Sequence, residues 1–239
     1  MSTVSNDLEQ RFPAVGALSG ALETAGYLAG DQLAAALFLA VRMGQPILLE
    51  GEPGVGKTEA AKALAAALDT PLVRLQCYEG IAASEALYEW NYPRQLLAEA
   101  AVTIPELGTQ HAIIAPVTVL TSNRTRDLHD ALKRRCLYHW IAYPDTARVA
   151  DIIRRRVPTS DERLAGQIAT AVSRLRDLDL TKPPGISEAI AWAFAVSVFG
   201  QQELAVPVAS QTLSTVLKYP EDEETVRQAG LAPVVATID

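Results

Sequence analysis

The chain has 239 residues, of which 49% are hydrophobic and 21% charged, a composition typical of a globular protein with one substantial core or a medium and a small domain. Its net charge of −7 argues against nonspecific nucleic-acid binding, and the two distant cysteines argue against a zinc site and suit a reducing cytosol. Because the N-terminus is unlike a signal peptide and the apolar runs are too short to span a bilayer, we expect a cytoplasmic protein without a membrane span.

The first strongly patterned segment predicts a helix at Asp31–Met43, where apolar residues recur at helical spacing. Asp31 is the expected N-cap of this helix, and Gly44 is its expected stop. Pro46 then leads into a short apolar strand at residues 47–50.

A glycine-rich segment follows and matches the pattern G-x-x-x-x-G-K-[ST] at every fixed position. Its residues are Gly51, Glu52, Pro53, Gly54, Val55, Gly56, Lys57 and Thr58, with Glu59 next in a helix predicted to reach residue 68. Strand, glycine loop and helix form a phosphate site, because the loop turns backbone N–H groups inward and the helix start adds its positive dipole end. Lys57 would reach the β- and γ-phosphates of a nucleoside triphosphate, and Thr58 would ligate Mg²⁺. The alternative is a Gly/Pro turn in which Lys57 is merely solvated.

Beyond this helix, short strands alternate with turns. Residues 72–77 alternate like a second strand, and segments 102–104 and 111–114 flank a turn and predict a hairpin. An apolar strand at 117–120 ends in Thr121-Ser122-Asn123. A helix at about 127–135 and a strand at Leu137–Ile141 complete this α/β part.

From Pro144 onward the pattern predicts helices only. One helix should end with three arginines at 154–156, whose charge suits its carbonyl end. Ser160 should cap the next helix, whose apolar face carries Leu164, Ile168, Val172 and Leu175.

A helix at 187–199 should bury Ile190, Phe194 and Val198, and a last pair should cover 205–218 and 221–228. The chain is therefore predicted to be an α/β nucleotide-binding domain at 1–144, built on a parallel sheet, followed by a small all-helical lid domain at 145–239.

This arrangement resembles the AAA+ ATPases. Segments 49–59, 75–80, 88–95 and 132–136 and the hairpin before residues 119–123 are similar to the MoxR branch found with carbon monoxide dehydrogenase maturation genes. The resemblance runs from about residue 26 to 218. It implies an ATPase that uses ATP and Mg²⁺, forms a hexameric ring and acts as a chaperone-like assembly factor. The implied partners are a von Willebrand factor A-type protein and a metalloenzyme client, not nucleic acid.

The resemblance also implies roles for particular residues. Asn123 matches the sensor residue that orients the attacking water, although a strand-end cap is the alternative. Arg135 matches the arginine finger that reaches a neighbouring subunit's site, although a solvated basic helix face is an equal alternative. Tyr27 and Leu28 match residues that line the adenine pocket, with core packing as their alternative.

Two departures from the AAA+ pattern are visible. The Walker B strand, an apolar run ending in Asp-Glu, is absent, and the nearby carboxylates Glu99 and Glu106 do not end such a run. No sensor arginine occurs at Gly185–Ala189. Nucleotide binding is therefore favoured over hydrolysis, and the alternatives are a non-hydrolysing regulatory or scaffold module and a truncated product. A P-loop kinase is disfavoured because the helical part is C-terminal.

The absent strand also bears on topology. In an AAA+ sheet it separates the sensor strand from the strand after the phosphate-loop helix. We expect direct pairing of 72–77 with 117–120, in a sheet of four parallel strands, because a gap would leave backbone groups unsatisfied. The other neighbour of the strand at 117–120, which precedes the sensor residue Asn123, should be the strand at 47–50.

Overall fold

A computed structural model describes residues 10–74, 101–104, 108–111, 116–124 and 130–236. The chain divides into two compact units, one formed by Met1–Glu50 and Thr58–Trp140, the other by Gly51–Lys57 and Ile141–Asp239. In the described ranges, no helix is long and apolar enough to cross a membrane.

The first unit contains short strands with helices before and between them. Its helices are α1 (Val15–Thr24), α2 (Asp31–Met43), α3 (Lys57–Leu68, whose first residue belongs to the second unit) and α4 (Asp130–Lys133). Its strands are β1 (Ile47–Gly51), β2 (Ala101–Ile104), β3 (Gly108–His111), β4 (Val119–Ser122) and β5 (Leu137–Ile141), and the last residues of β1 and β5 belong to the second unit. α2 has its predicted bounds and stops at Gly44 in the left-handed conformation, but Gly30 is the N-cap and Asp31 lies in the first turn.

The main sheet is parallel and has the strand order β4-β1-β5 in the described part of the chain. Ile47 pairs with Val119 and Glu50 with Ser122, so the predicted neighbour relation between β1 and the strand before Asn123 is confirmed. All five residues of β1 are buried, as expected for a central strand covered on both faces.

The predicted hairpin is confirmed, with β2 and β3 antiparallel and Ile104 opposite Gly108. The second strand begins earlier than predicted, and residues 105–107 and 112–114 lie outside the described residues.

The predicted strand at 72–77 is wrong where it is described. Residues 72–74 are not in a strand, and Leu72 and Val73 are 47% and 81% exposed. Alternating residues form a strand only beside a neighbouring strand, and in the described part of the chain no strand pairs with residues 72–74. The sheet therefore has three strands in the described ranges rather than the predicted four, and residues 75–77 lie outside them.

The second unit is helical after β5, as predicted. Its helices are α5 (Thr146–Arg156), α6 (Glu162–Arg176), α7 (Ile186–Val198), α8 (Val206–Val216), α9 (Pro220–Ala229) and α10 (Leu231–Val235). The four apolar residues predicted on α6 are all buried in one core with Trp192 of α7. The Trp192 indole N–H donates to Thr212 Oγ1 at 2.8 Å, so its single polar group is satisfied.

Two local predictions in this unit are wrong. Asp161 rather than Ser160 caps α6, because its Oδ1 accepts from the Leu164 N–H at 2.7 Å. On α7, Phe194 and Val198 are 59% and 68% exposed, and the buried residues are Ala189, Trp192, Ala193 and Val196. α7 is apolar around most of its circumference, so helical spacing alone does not select its buried face.

Candidate nucleotide-binding site

The glycine-rich segment at residues 51–58, here called the phosphate loop, continues directly from β1 into α3. Gly54 and Gly56 adopt φ values of +80° and +92°, a region that residues with a Cβ rarely enter. Gly51 is required for a different reason, because a Cβ there would lie 2.4 Å from the carbonyl oxygen of Ile141. Three glycines are therefore fixed by geometry, although the sequence pattern fixes only Gly51 and Gly56.

Lys57 turns its ammonium group back onto the loop. Its Nζ donates to the carbonyl oxygens of Gly51 and Glu52 at 2.8 and 2.6 Å, and the residue is only 7% exposed. Burial lowers the pKa of Lys57, and the Glu52 carboxylate acts in the opposite direction. Both acceptors are neutral, so a charged phosphate oxygen would be a stronger partner for this ammonium than either carbonyl.

Thr58 and Glu59 lie in the first turn of α3 and are half-buried. The Glu59 carboxylate accepts a hydrogen bond from Lys62 Nζ at 2.6 Å, one turn along the same helix. Among the described residues, no group of three or more His, Cys, Asp or Glu side chains could hold a metal ion. The Thr58 hydroxyl alone could add one ligand to an Mg²⁺ ion that is otherwise held by phosphates and water.

The phosphate loop also contacts the helical part of its own unit. The Ile186 N–H donates to the carbonyl oxygen of Gly54 at 3.0 Å. Gly54 and Gly185 pack backbone against backbone, since a Cβ on Gly185 would lie 2.7 Å from the Gly54 Cα. Glu188 closes the start of α7 by accepting from the Gly185 N–H at 3.0 Å.

Arg176, at the end of α6, makes a second connection to the phosphate loop. Its guanidinium forms an ion pair with Glu52, donates to the carbonyl oxygen of Pro184 at 2.9 Å and lies 3.8 Å from the ring centroid of Tyr143. Burial raises the pKa of Tyr143 to about 12, with Arg176 acting in the opposite direction. The buried Tyr143 hydroxyl has no hydrogen-bond partner in the part of the chain that is described.

Sequence reasoning missed both Arg176 and Tyr143. Arg176 was one more basic residue near a helix C-terminus, where the helix dipole already explains it. The segment Gly185–Ala189 lacks an arginine, as the sequence shows, but its backbone contacts the loop directly and α6 supplies a guanidinium beside Glu52.

The remaining predicted residues are placed as follows. Asn123 directly follows β4 and is exposed, one residue beyond Ser122, the register partner of Glu50. Arg135 is exposed in the turn after α4, and its N–H donates to the carbonyl oxygen of Leu132 at 3.1 Å. Tyr27 and Leu28 are half-buried between α1 and α2. Glu99 and Glu106 lie outside the described residues.

Comparison with known proteins supports this interpretation of the loop. Residues 46–137, less than half of the chain, match the family model described as AAA domain (dynein-related subfamily). This segment is similar to AAA domains. It begins just before β1 and ends in β5, so it includes the phosphate loop and β4. In the described ranges the fold has a three-stranded parallel sheet with helices, similar to the AAA+ phosphate-loop core and followed by a helical part.

The solved structures that are similar to the chain include the following two. The Thermotoga maritima RuvB Holliday junction branch migration motor is 19% identical, with a TM-score of 0.46, over 85% of this chain and 72% of that one. A katanin structure, solved to give the structural basis for katanin self-assembly, is 16% identical, with a TM-score of 0.37, over 96% and 82%. No curated protein sequence matches.

The close contact between Gly54 and Gly185 predicts the effect of one added methyl group. Gly185 has φ −94°, which alanine adopts readily, so Gly185→Ala should act through the 2.7 Å clash alone. We expect it to destabilise the protein by about 1–3 kcal/mol, the usual cost of overpacking. The midpoint of urea unfolding, followed by circular dichroism, measures this change.

Gly166→Ala is the matched control, because Gly166 lies inside α6 and a Cβ there would meet nothing within 4 Å. It should stabilise the protein by about 0.5–1 kcal/mol, the helix preference of alanine over glycine. If Gly185→Ala unfolds at the same urea concentration as the unaltered protein, the loop does not pack against the start of α7 in solution.

Proposed function

We propose that this protein is an ATP-binding AAA+ protein of the MoxR type that acts as a chaperone-like assembly or maturation factor. The observation that carries the proposal is the buried ammonium of Lys57 inside a loop whose Gly54 and Gly56 are in left-handed conformations. In this proposal residues 1–144 form the nucleotide-binding domain and residues 145–239 the lid domain.

The phosphates of ATP would be bound by loop residues 51–59. Lys57 would exchange its two carbonyl partners for phosphate oxygens, and the first turn of α3 would add backbone N–H groups and its dipole. The Thr58 hydroxyl would hold Mg²⁺, which when bound neutralises phosphate charge. Asn123, at the end of β4, would contact the terminal phosphate or the water that attacks it.

The assembly proposed for this function is a homo-oligomeric ring in the cytoplasm. Arg135 would reach the nucleotide of the neighbouring subunit, and its exposure in the turn after α4 is compatible with that role. The proposed partners are a von Willebrand factor A-type protein and a metalloenzyme client, and these rest on resemblance alone.

A specific observation favours a second candidate, a nucleotide-binding regulatory or scaffold module without turnover. Glu50 is the buried carboxylate at the end of β1, and Tyr138 and Arg124 already take up its charge. It is therefore poorly suited to polarise a water molecule in place of the missing Asp-Glu pair. Phosphate-release measurements separate the two candidates.

Lys57→Ala tests the phosphate site. The change removes the cation of the loop, so we expect a loss of roughly 1.5–3 kcal/mol in ATP binding, the range for charge-assisted hydrogen bonds. Calorimetric titration with Mg²⁺ and ATP measures the affinity. Lys62→Ala is the control, because Lys62 lies on the same helix but pairs with Glu59 at the surface. Equal ATP affinity of the Lys57→Ala variant and the unaltered protein would rule out the phosphate site.

Hydrolysis by the purified protein should be slower than about 1 s⁻¹ per subunit, the low end of typical enzyme turnover. The reason is that no carboxylate pair ends a strand of the described sheet beside the loop, so the attacking water should be weakly polarised. Phosphate release that is slow but is abolished by Lys57→Ala supports the ATPase. Phosphate release at the background rate supports the non-hydrolysing module. Release at about 1 s⁻¹ or faster would reveal an overlooked carboxylate, with Glu99 and Glu106 the first to replace.

Self-association tests the ring. If Arg135 completes the site of a neighbouring subunit, saturating ATP should shift the protein to a higher oligomer, because the nucleotide adds a contact across the interface. Analytical ultracentrifugation with and without ATP measures this shift. A monomer at saturating ATP would exclude the ring and the proposed role of Arg135.

A further inference from the structure

The last residue before the phosphate loop is a buried acid. Glu50 is 3% exposed, and burying a carboxylate is costly unless it is paired and hydrogen-bonded. Its Oε2 accepts a hydrogen bond from the Tyr138 hydroxyl at 3.1 Å and lies 3.7 Å from Arg124 Nε. Tyr138 belongs to β5 and Arg124 follows β4, so one carboxylate connects the central strand to both of its neighbours.

Arg124 has an unusual backbone. Its φ is +57°, in the left-handed region, which is strained for a residue with a Cβ. Such a conformation persists only where surrounding contacts enforce it. Here the Arg124 N–H donates to Ser122 Oγ at 3.0 Å, and the guanidinium lies between Glu50 and the Trp140 ring, 5.6 Å from the ring centroid.

These contacts enclose one residue in a tight turn. Asn123 lies between Ser122 and Arg124, so the hydrogen bond from Arg124 to Ser122 bends the backbone around it. Ser122 is fixed by its pairing with Glu50, and Arg124 by its ion pair with the same residue. Both sequence neighbours of Asn123 therefore interact with Glu50.

We propose that Glu50 is a positioning residue that acts through Arg124 to fix Asn123 against the carboxyl end of β1, and that this pair lets the protein distinguish ATP from ADP. The inference rests on the proposed function, in which Asn123 contacts the terminal phosphate. Glu50 itself touches no nucleotide. It acts because a carboxylate holds the guanidinium, and the guanidinium holds a strained turn in one conformation.

An amide cannot replace the carboxylate in this arrangement. Glu50→Gln keeps the size of the side chain and an oxygen for the Tyr138 hydroxyl, but it removes the charge that pairs with Arg124. The turn should then relax out of the left-handed conformation, and Asn123 should lose its fixed position. Arg124→Ala removes the same ion pair from the other side, and since the Arg124 side chain is 59% exposed, little packing is lost.

The test measures the affinities of the full chain for ATP and for ADP, each with Mg²⁺, by calorimetric titration. Asn123→Ala should lower the preference for ATP over ADP. Glu50→Gln and Arg124→Ala should each lower it by about three- to tenfold, as expected for residues coupled through one contact. Glu203→Gln is the control, because it removes the surface ion pair with Arg163 and should leave the preference unchanged.

A double variant distinguishes positioning from general destabilisation. If Glu50 acts through Asn123, adding Glu50→Gln to Asn123→Ala should not lower the preference further. A merely structural role would weaken ATP and ADP binding equally, so Glu50→Gln alone would leave the preference unchanged and would lower the affinity of the Asn123→Ala variant for both nucleotides. Equal weakening, or an unchanged preference in both Glu50→Gln and Arg124→Ala, overturns this inference. If Glu50→Gln does not fold, Arg124→Ala alone decides.

The Asn123→Ala variant shows whether the proposed function or only the role of Glu50 is wrong. If Asn123→Ala itself leaves the preference for ATP unchanged, Asn123 does not contact the terminal phosphate, and both proposals fall at that step. If Asn123→Ala lowers the preference and the two ion-pair variants do not, only the positioning role of Glu50 is wrong.

Discussion

The structure around β1 depends on two buried charges that are compensated in different ways. Glu50, at the end of the strand, faces a guanidinium and a phenol, so its negative charge is met by a positive one. Lys57, at the start of α3, donates its hydrogen bonds in the described part of the chain to the neutral carbonyl oxygens of Gly51 and Glu52, with the Glu52 carboxylate acting at longer range. Neutral carbonyls compensate a buried cation less completely than an anion does, and burial accordingly lowers the pKa of Lys57. The loop is therefore suited electrostatically to an anion.

The same loop is constrained by packing. Gly51 has no room for a Cβ against Ile141, and Gly54 lies against Gly185 with its carbonyl oxygen bound by Ile186. A ligand that changes the backbone of the loop at Gly54 must break that hydrogen bond or displace the start of α7 with it. The ion pair between Glu52 and Arg176 couples the end of α6 to the loop in the same way. Among the described residues, the loop is thus connected to the helices of its unit through backbone contacts with the start of α7 and through the ion pair with Arg176.

The sequence predicted the elements whose causes are local. The bounds of α2, the order of strand, phosphate loop and helix, and the existence of the hairpin follow from spacing, glycine and turn residues. The buried face of α7 did not follow, because Phe194 and Val198 are as apolar as the residues that pack inward. Ser160 and Asp161 are both good caps, and only the hydrogen bond to Leu164 distinguishes them.

The missed parts of the candidate site depend on distant partners. In the sequence, Glu50 is simply the residue before the glycine motif. Its partners Tyr138, 88 residues later, and Arg124 lie beside it only in the folded chain. In the sequence, Arg176 is one of several basic residues at the end of a helix. Its partner Glu52 is 124 residues away and is identified only by the fold. In each case the residue type was visible, but the charge that pairs with it belongs to another element. Pairing of this kind is a property of the fold and leaves no periodic signal in the chain.

The missing carboxylate pair separates two tasks that a nucleotide-dependent protein performs. Distinguishing ATP from ADP requires only a fixed group near the terminal phosphate, whereas hydrolysis also requires a base that is available to water. Under the proposed function, the contacts of Glu50 would serve the first task and hinder the second, because the ion pair that would hold Asn123 in place is the one that occupies the carboxylate. A protein built in this way would respond to the identity of the bound nucleotide even at negligible turnover, and exchange of ATP for ADP, rather than cleavage in place, would then set the pace of its cycle.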